Sequence, residues 1–487
     1  MKDQIKLLEP SIMWKNFADL NAVPRPSKKE EKVIEFIKNF GNKLGLPTIQ
    51  DETGNIIIKK PATPGMESRK TVALQSHLDM VCQKNAETIF DFEKQGIDMF
   101  IDGDWVKAVG TTLGADNGIG VASIMGILES KNIAHPAIEA LFTVDEETGM
   151  TGALGLKGGL LDAEIMLNLD TEDDNELTIG CAGGIDVNAS GTYPEESAPA
   201  GFKAYTLKIK GLTGGHSGMD IIKGRGNANK IMNRILYLAE EKFQIRIASI
   251  NGGSLRNAIP RESVAEFVIE PSKSSEFEAF ISAQTVLLIQ EYALTDAELK
   301  ITLESIQNIL KVLAKDFQQK ILRSIYSCPS GIYRMSPAIS GLVQTSNNLA
   351  RVLIANGEFT IQCLTRSSVD SEKIDMANSI KSAFELSGSK ISFGGSYPGW
   401  TPKPDAGIVK LMRNLYQELY QEEALVSACH AGLECGILGT HYPDMEMISF
   451  GPNIRGAHSP EEKVQISSVQ KYWAYLLETL KRIPAKN

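Results

Sequence analysis

Apolar and polar positions along this chain fall into blocks that predict helices and strands in turn. Ser27–Leu44 predicts a helix: Val33, Phe36, Ile37 and Phe40 form an apolar stripe, Ser27 stands as N-cap and Glu30 three residues on as in a capping box. Short apolar runs follow, each passing into polar residues. They are Thr71–Leu74 before Gln-Ser-His-Leu-Asp, Ile138–Val144 before Asp-Glu-Glu, and Ile165–Leu169 before Asp-Thr-Glu-Asp. Gly118–Ser130, GIGVASIMGILES, predicts a helix starting beside Asp116. Buried strands alternating with helices predict an α/β layer, in which ligands gather at the carboxyl ends of the strands. The histidine and acidic segments fall at those ends.

The middle of the chain has a different rhythm. Phe202–Gly211 alternates like a half-buried strand and passes into the Gly-rich GLTGGHSG; Gly226–Ala239 looks helical. Phe243–Ile250 and Ser263–Ile269 predict strands, Ser275–Tyr292 a helix, and a similar mixture recurs from Leu299 to Phe393. Asp405–Gln421 then suits a helix, and Met445–Phe450 a strand leading to GPNIRGAHSPEE. The expected organisation is a discontinuous α/β domain, 1–184 and 395–487, interrupted by an inserted α+β domain, 185–394, with two α+β halves as one way to build it.

Composition narrows the function. A chain of 487 residues exceeds what one compact core usually uses, and 43% hydrophobic with 23% charged residues is ordinary for a globular protein. The net charge of −10 argues against nucleic acid, whose binding needs clustered positive charge. No apolar run approaches the roughly 18 residues of a membrane span, and the start lacks the pattern of a signal peptide. The six cysteines show no CxxC spacing, so a reduced, cytoplasmic compartment is expected.

Candidate chemistry lies in His77-Leu78-Asp79, Asp116-Asn117, Asp145-Glu146-Glu147, Asp170 and His458. Singly, each has a plain explanation: a hydrogen-bonded structural histidine, a solvated acidic loop, a turn or helix cap. Together, the two imidazoles and the carboxylates supply N and O donors for divalent ions while leaving positions for water.

The segments HLDM, GTTLGADNGIG, DEETGMTGA, LNLDTED, GGHSG, CHAGLECG and GPNIRGAHSPEE resemble the aminoacyl-histidine dipeptidases, of the di-zinc dipeptidase, tripeptidase and aminoacylase superfamily. The resemblance spans effectively the whole chain. It implies a zinc-exopeptidase-like catalytic domain, a mixed sheet flanked by helices, with an inserted α+β lid domain. It further implies two divalent ions bridged by Asp116, one also held by His77 and Asp170, the other by Glu147 and His458. Zinc is the first expectation, and cobalt or manganese accept the same donors. By the same resemblance Glu146 is the general base, Asp79 orients His77, the peptide bond after Asp116 is cis, and His216 stabilises the developing negative charge. Arg366 would capture a terminal carboxylate; Asn257, His430 and Glu434 are further substrate contacts. The implied activity is hydrolysis of unblocked dipeptides, Xaa-His dipeptides included, by a metal-bridging hydroxide. A small peptide is then the partner, and a homodimer is compatible with the resemblance. A tripeptide aminopeptidase, an N-acyl amino acid deacylase and a catalytically inactive peptide-binding relative are the alternatives.

Overall fold

A computed structural model describes residues 2–307 and 309–486. Met1, Asn308 and Asn487, which fall within the expected domain ranges, lie outside the described residues. The chain divides into two compact units: Met1–Gly180 with Pro402–Ala428 and Leu433–Asn487, and Cys181–Thr401 with Cys429–Gly432.

The first unit is built on an eight-stranded sheet. Ile138–Thr143, Val72–His77, Ile165–Asn168 and Glu446–Ser449 lie side by side and parallel at its centre. Val72–His77, Ile138–Thr143 and Ile165–Asn168 are buried at every position, polar ends included, which explains the apolar residues that dominate them: a parallel strand covered on both faces has no solvent side. The helix Ala115–Glu129 is buried almost all round, whereas Ile466–Arg482 buries the stripe Val469, Tyr472, Trp473, Leu476 and Leu480 at helical spacing.

Around the first helix of the sequence analysis the structure departs from expectation. The helix runs Glu31–Lys43 and has no side-chain cap. Ser27 instead donates its hydroxyl to Asp79 at 2.8 Å, and Glu30 accepts the backbone N–H of Asp145 at 3.0 Å. The predicted capping pair thus serves the loops at the strand ends, because those loops hold unpaired amides and a buried carboxylate that need partners.

The second unit is a nine-stranded antiparallel sheet in the order Lys300–Ile306, Lys203–Lys210, Ser263–Ile269, Arg246–Gly252, Val343–Ala355, Glu358–Ser367, Gly183–Thr192, Lys390–Tyr397, with Gly331–Met335 also paired to Val343–Ala355. Its two strand–helix runs meet where Ile250 pairs with Ile354, so one sheet carries both. Residues of Ala228–Phe243, Ser274–Glu291, Lys315–Ser327 and Asp370–Glu385 join the sheet in one apolar core.

Candidate active site

The acidic and histidine segments of the first unit converge at the carboxyl ends of the central strands. His77 closes the strand Val72–His77 and is 1% exposed. Its Nε2 lies 3.2 Å from Asp116 Oδ1 and 3.4 Å from Asp170 Oδ1. The other oxygen of Asp116, Oδ2, lies 3.2 Å from His458 Nε2, which is 3.0 Å from Glu147 Oε2. Asp116 thus faces two donor sets with different oxygens. His77 with Asp116 and Asp170, and Asp116 with Glu147 and His458, each bring three potential metal ligands within 4.8 Å of one another; His77, Glu146 and Glu147 form a third such group. The peptide bond between Asp116 and Asn117 is cis.

Loops around this cluster are fixed by buried charges. Asp79 accepts the backbone N–H of Glu146 at 3.0 Å and of Glu147 at 3.2 Å, while its carboxylate stands 3.4 Å from His77 Nδ1. Glu146 and Glu147 open a short helical turn, Glu146–Gly149, rather than leaving the strand directly, because Asp145 turns the chain in a left-handed conformation. Glu462, which the sequence did not single out within GPNIRGAHSPEE, accepts four consecutive backbone N–H groups. They belong to Leu113 at 2.7 Å, Gly114 at 2.9 Å, Ala115 at 2.7 Å and Asp116 at 3.2 Å. Arg25 carries no signal in the sequence either. It is buried and donates to the carbonyls of Leu78, Asp79 and Gly114. No local pattern reveals either role, since the groups they hold are distant in sequence.

The electrostatics are those of crowded acids. Burial, with Asp170, Glu434 and Glu147 nearby, pushes Glu146 well above the usual carboxylate range against the pull of His77. Burial and the charges of Asp116 and Asp170 raise Glu172 to about 8, another carboxyl the sequence left without a role. Hydrogen bonding to Asp116 and Glu147 lifts His458 to about 11. A divalent ion fits this donor set: the carboxylates outnumber the imidazoles, and Glu147 Oε1 is buried with no hydrogen-bond partner among the described residues. Glu434 is 1% exposed and accepts from Gln75 and Thr143, both at 2.7 Å. Burial raises it to about 7, and its Oε1 has no partner among the described residues.

The second unit gathers a separate polar cluster. His216 Nδ1 accepts the backbone N–H groups of Gly218 at 3.3 Å and Met219 at 3.1 Å, which assigns the ring proton to Nε2. That Nε2 lies 3.5 Å from Nη2 of the buried Arg366. Two donors facing one another suit a negatively charged group between them. Burial, then the Arg366 charge, lowers His216. His430 pairs with Ser346 at 2.8 Å and is held near 3 by burial, Arg366 and His216, so its ring is neutral. Asn257 is exposed, and its carbonyl accepts the N–H of Ser217 at 2.7 Å.

Residues 73–482 match the model of peptidase family M20/M25/M40. The chain belongs to this family. It is 43% identical over 483 residues to the cytosol non-specific dipeptidase of Escherichia coli, covering 99% of this chain and 100% of the relative. The aminoacylhistidine dipeptidase of Vibrio alginolyticus superposes with a TM-score of 0.95 at 42% identity over 99% of both chains. A Staphylococcus aureus tripeptidase shares the fold alone, with a TM-score of 0.56 at 15% identity over 98% of this chain and 99% of the other. As a member of this family the chain is a peptide hydrolase, and no helix among the described residues is long and apolar enough to cross a membrane.

Proposed function

We propose that the protein is a cytosolic dipeptidase that hydrolyses unblocked dipeptides, Xaa-His dipeptides among them, using two divalent ions. The observation that carries this reading is the division of Asp116, whose two oxygens each address a histidine and a further carboxylate. The dipeptidases similar over the full chain in Escherichia coli and Vibrio alginolyticus support the substrate class, and the cytosol in the first one's description supports the location.

His77, Asp116 and Asp170 would hold one ion; Asp116, Glu147 and His458 the other. Zinc suits these donors best, and cobalt or manganese share them. When bound, such ions acidify water and offset negative charge on the reacting carbonyl. Glu146 accepts the proton of the attacking water and passes it to the leaving amine. Asp79 holds the backbone of base and ligand together. His216 offers its Nε2–H to the oxyanion, Arg366 pairs with the substrate's terminal carboxylate, and the free oxygen of Glu434 accepts from its ammonium group. His430 and Asn257 complete the substrate contacts.

The test is turnover of dipeptides, tripeptides and N-acyl amino acids by protein stripped with a chelator and then reconstituted with zinc, cobalt or manganese. Release of amino acids from dipeptides only after metal is restored is the expected result. Preference for tripeptides or N-acyl substrates, or dipeptide binding without hydrolysis, overturns it.

A further inference from the structure

Arg366 does not hold its guanidinium in place alone. Its Nη1 donates to the phenol oxygen of Tyr397 at 2.8 Å. Tyr397 ends the edge strand Lys390–Tyr397, and the strand Gly183–Thr192 runs between it and the strand of Arg366. Arg366 and Tyr397 are both registered on the same residue of that middle strand, Gly184, so the three side-chain positions form one row on one face. Neighbouring strands lie about 4.8 Å apart, so the ends of the row are two spacings from each other. A side chain in the middle would keep them apart. At Gly184 a Cβ would stand 2.7 Å from Cε1 and Cζ of Tyr397 and 2.8 Å from its hydroxyl; the ring lies across the glycine.

The backbone of Tyr397 is fastened separately. Its carbonyl accepts from Lys373 at 2.6 Å, and Lys373, 4% exposed, also bonds Asp370 at 2.7 Å. Asp370 in turn accepts the N–H of Gly399 at 3.1 Å. The segment after Tyr397 is thereby tied to the first turn of the helix Asp370–Glu385. Backbone and ring are both fixed, and the hydroxyl meets one end of a flexible side chain that would otherwise sample many rotamers.

We infer that Tyr397 is a positioning residue that sets the guanidinium of Arg366 for the substrate's terminal carboxylate, and that Gly184 lacks a side chain so that the phenol can reach it. This rests on Arg366 as the carboxylate clamp, and the experiment separates the two. Steady-state kinetics of the metal-loaded enzyme are measured on a dipeptide and on the same dipeptide with its carboxylate replaced by carboxamide. Where turnover of the amide is too slow to follow, its competitive inhibition constant replaces KM.

Tyr397→Phe raises KM for the free acid about tenfold, the value of one net hydrogen bond, with kcat unchanged and the amide unaffected. Gly184→Ala does the same, while Tyr397→Phe adds nothing in an Arg366→Ala background. Native KM in Tyr397→Phe overturns the inference, as does equal weakening of acid and amide, or a fall in kcat alone. Preserved discrimination against the amide in Arg366→Ala overturns the clamp itself and the inference with it. If Gly184→Ala does not fold, the Tyr397→Phe protein still decides.

Discussion

Glu462→Gln is the substitution with the sharpest expected consequence at the metal cluster. The native carboxylate takes Leu113 and Gly114 on Oε2, and Ala115 and Asp116 on Oε1. A carboxamide keeps one acceptor oxygen and turns an NH2 group toward two of the four N–H donors. Two charge-assisted hydrogen bonds are lost, at about 1.5–3 kcal/mol each, or about 3–6 kcal/mol in all. The affected backbone carries Asp116, so much of this cost falls on ion binding. At 1.4 kcal/mol per factor of ten, the product of the two binding constants falls by roughly 10² to 10⁴. The assay is competition of the metal-free protein with a chromophoric chelator for zinc, with far-UV circular dichroism confirming the fold. Glu461→Gln, at an exposed neighbour without such contacts, is the control and keeps native affinity. A folded Glu462→Gln protein that binds two ions as tightly as the wild type would refute the argument.

Other substitutions separate the remaining roles. Glu146→Gln keeps both ions by elemental analysis but loses turnover by roughly 10² to 10⁴, the usual range for a general base. Asp116→Ala loses both ions, whereas His458→Ala keeps the one at His77 and Asp170; equilibrium dialysis against zinc distinguishes them. For His430, burial, Arg366 and His216 lower the folded-state value to about 3, so the unfolded chain binds the proton first on acidification. Its contribution to stability is complete above about pH 6.5 and is lost as pH falls toward 3. Urea unfolding across that window is therefore less pH-dependent in His430→Gln than in the native protein; equal slopes would contradict it.

Where the burial pattern is dictated locally, the sequence was readable to the residue. Ser263–Ile269 is a strand with the expected bounds, and the buried runs at Val72, Ile138 and Ile165 are parallel strands of the first unit. The donor residues His77, Asp116, Glu147, Asp170 and His458 were visible through motif resemblance, and the structure brings them together. Their supports were not. Ser27 and Glu30 carry a helix-capping signature, yet their oxygens answer to Asp79 and Asp145, dozens of residues away. Glu462 looks like any acidic residue after a turn until four amides from another segment meet it. Tyr397 and Gly184 acquire meaning only from strand register, which depends on pairing that no local window contains.

The order of the chain also bears on when this cluster can exist. His77, Asp116, Glu147 and Asp170 leave the ribosome early, but His458 and the clamp Glu462 follow the whole second unit. At about 5–20 residues per second, the interval between Asp170 and His458 lasts roughly 15–60 s. Throughout it the nascent protein carries the donors proposed for one ion and only part of those for the other. On the proposed ligand set, loading of the pair would be a late event in biosynthesis, and a chain truncated before residue 458 would acquire at most half of its metal.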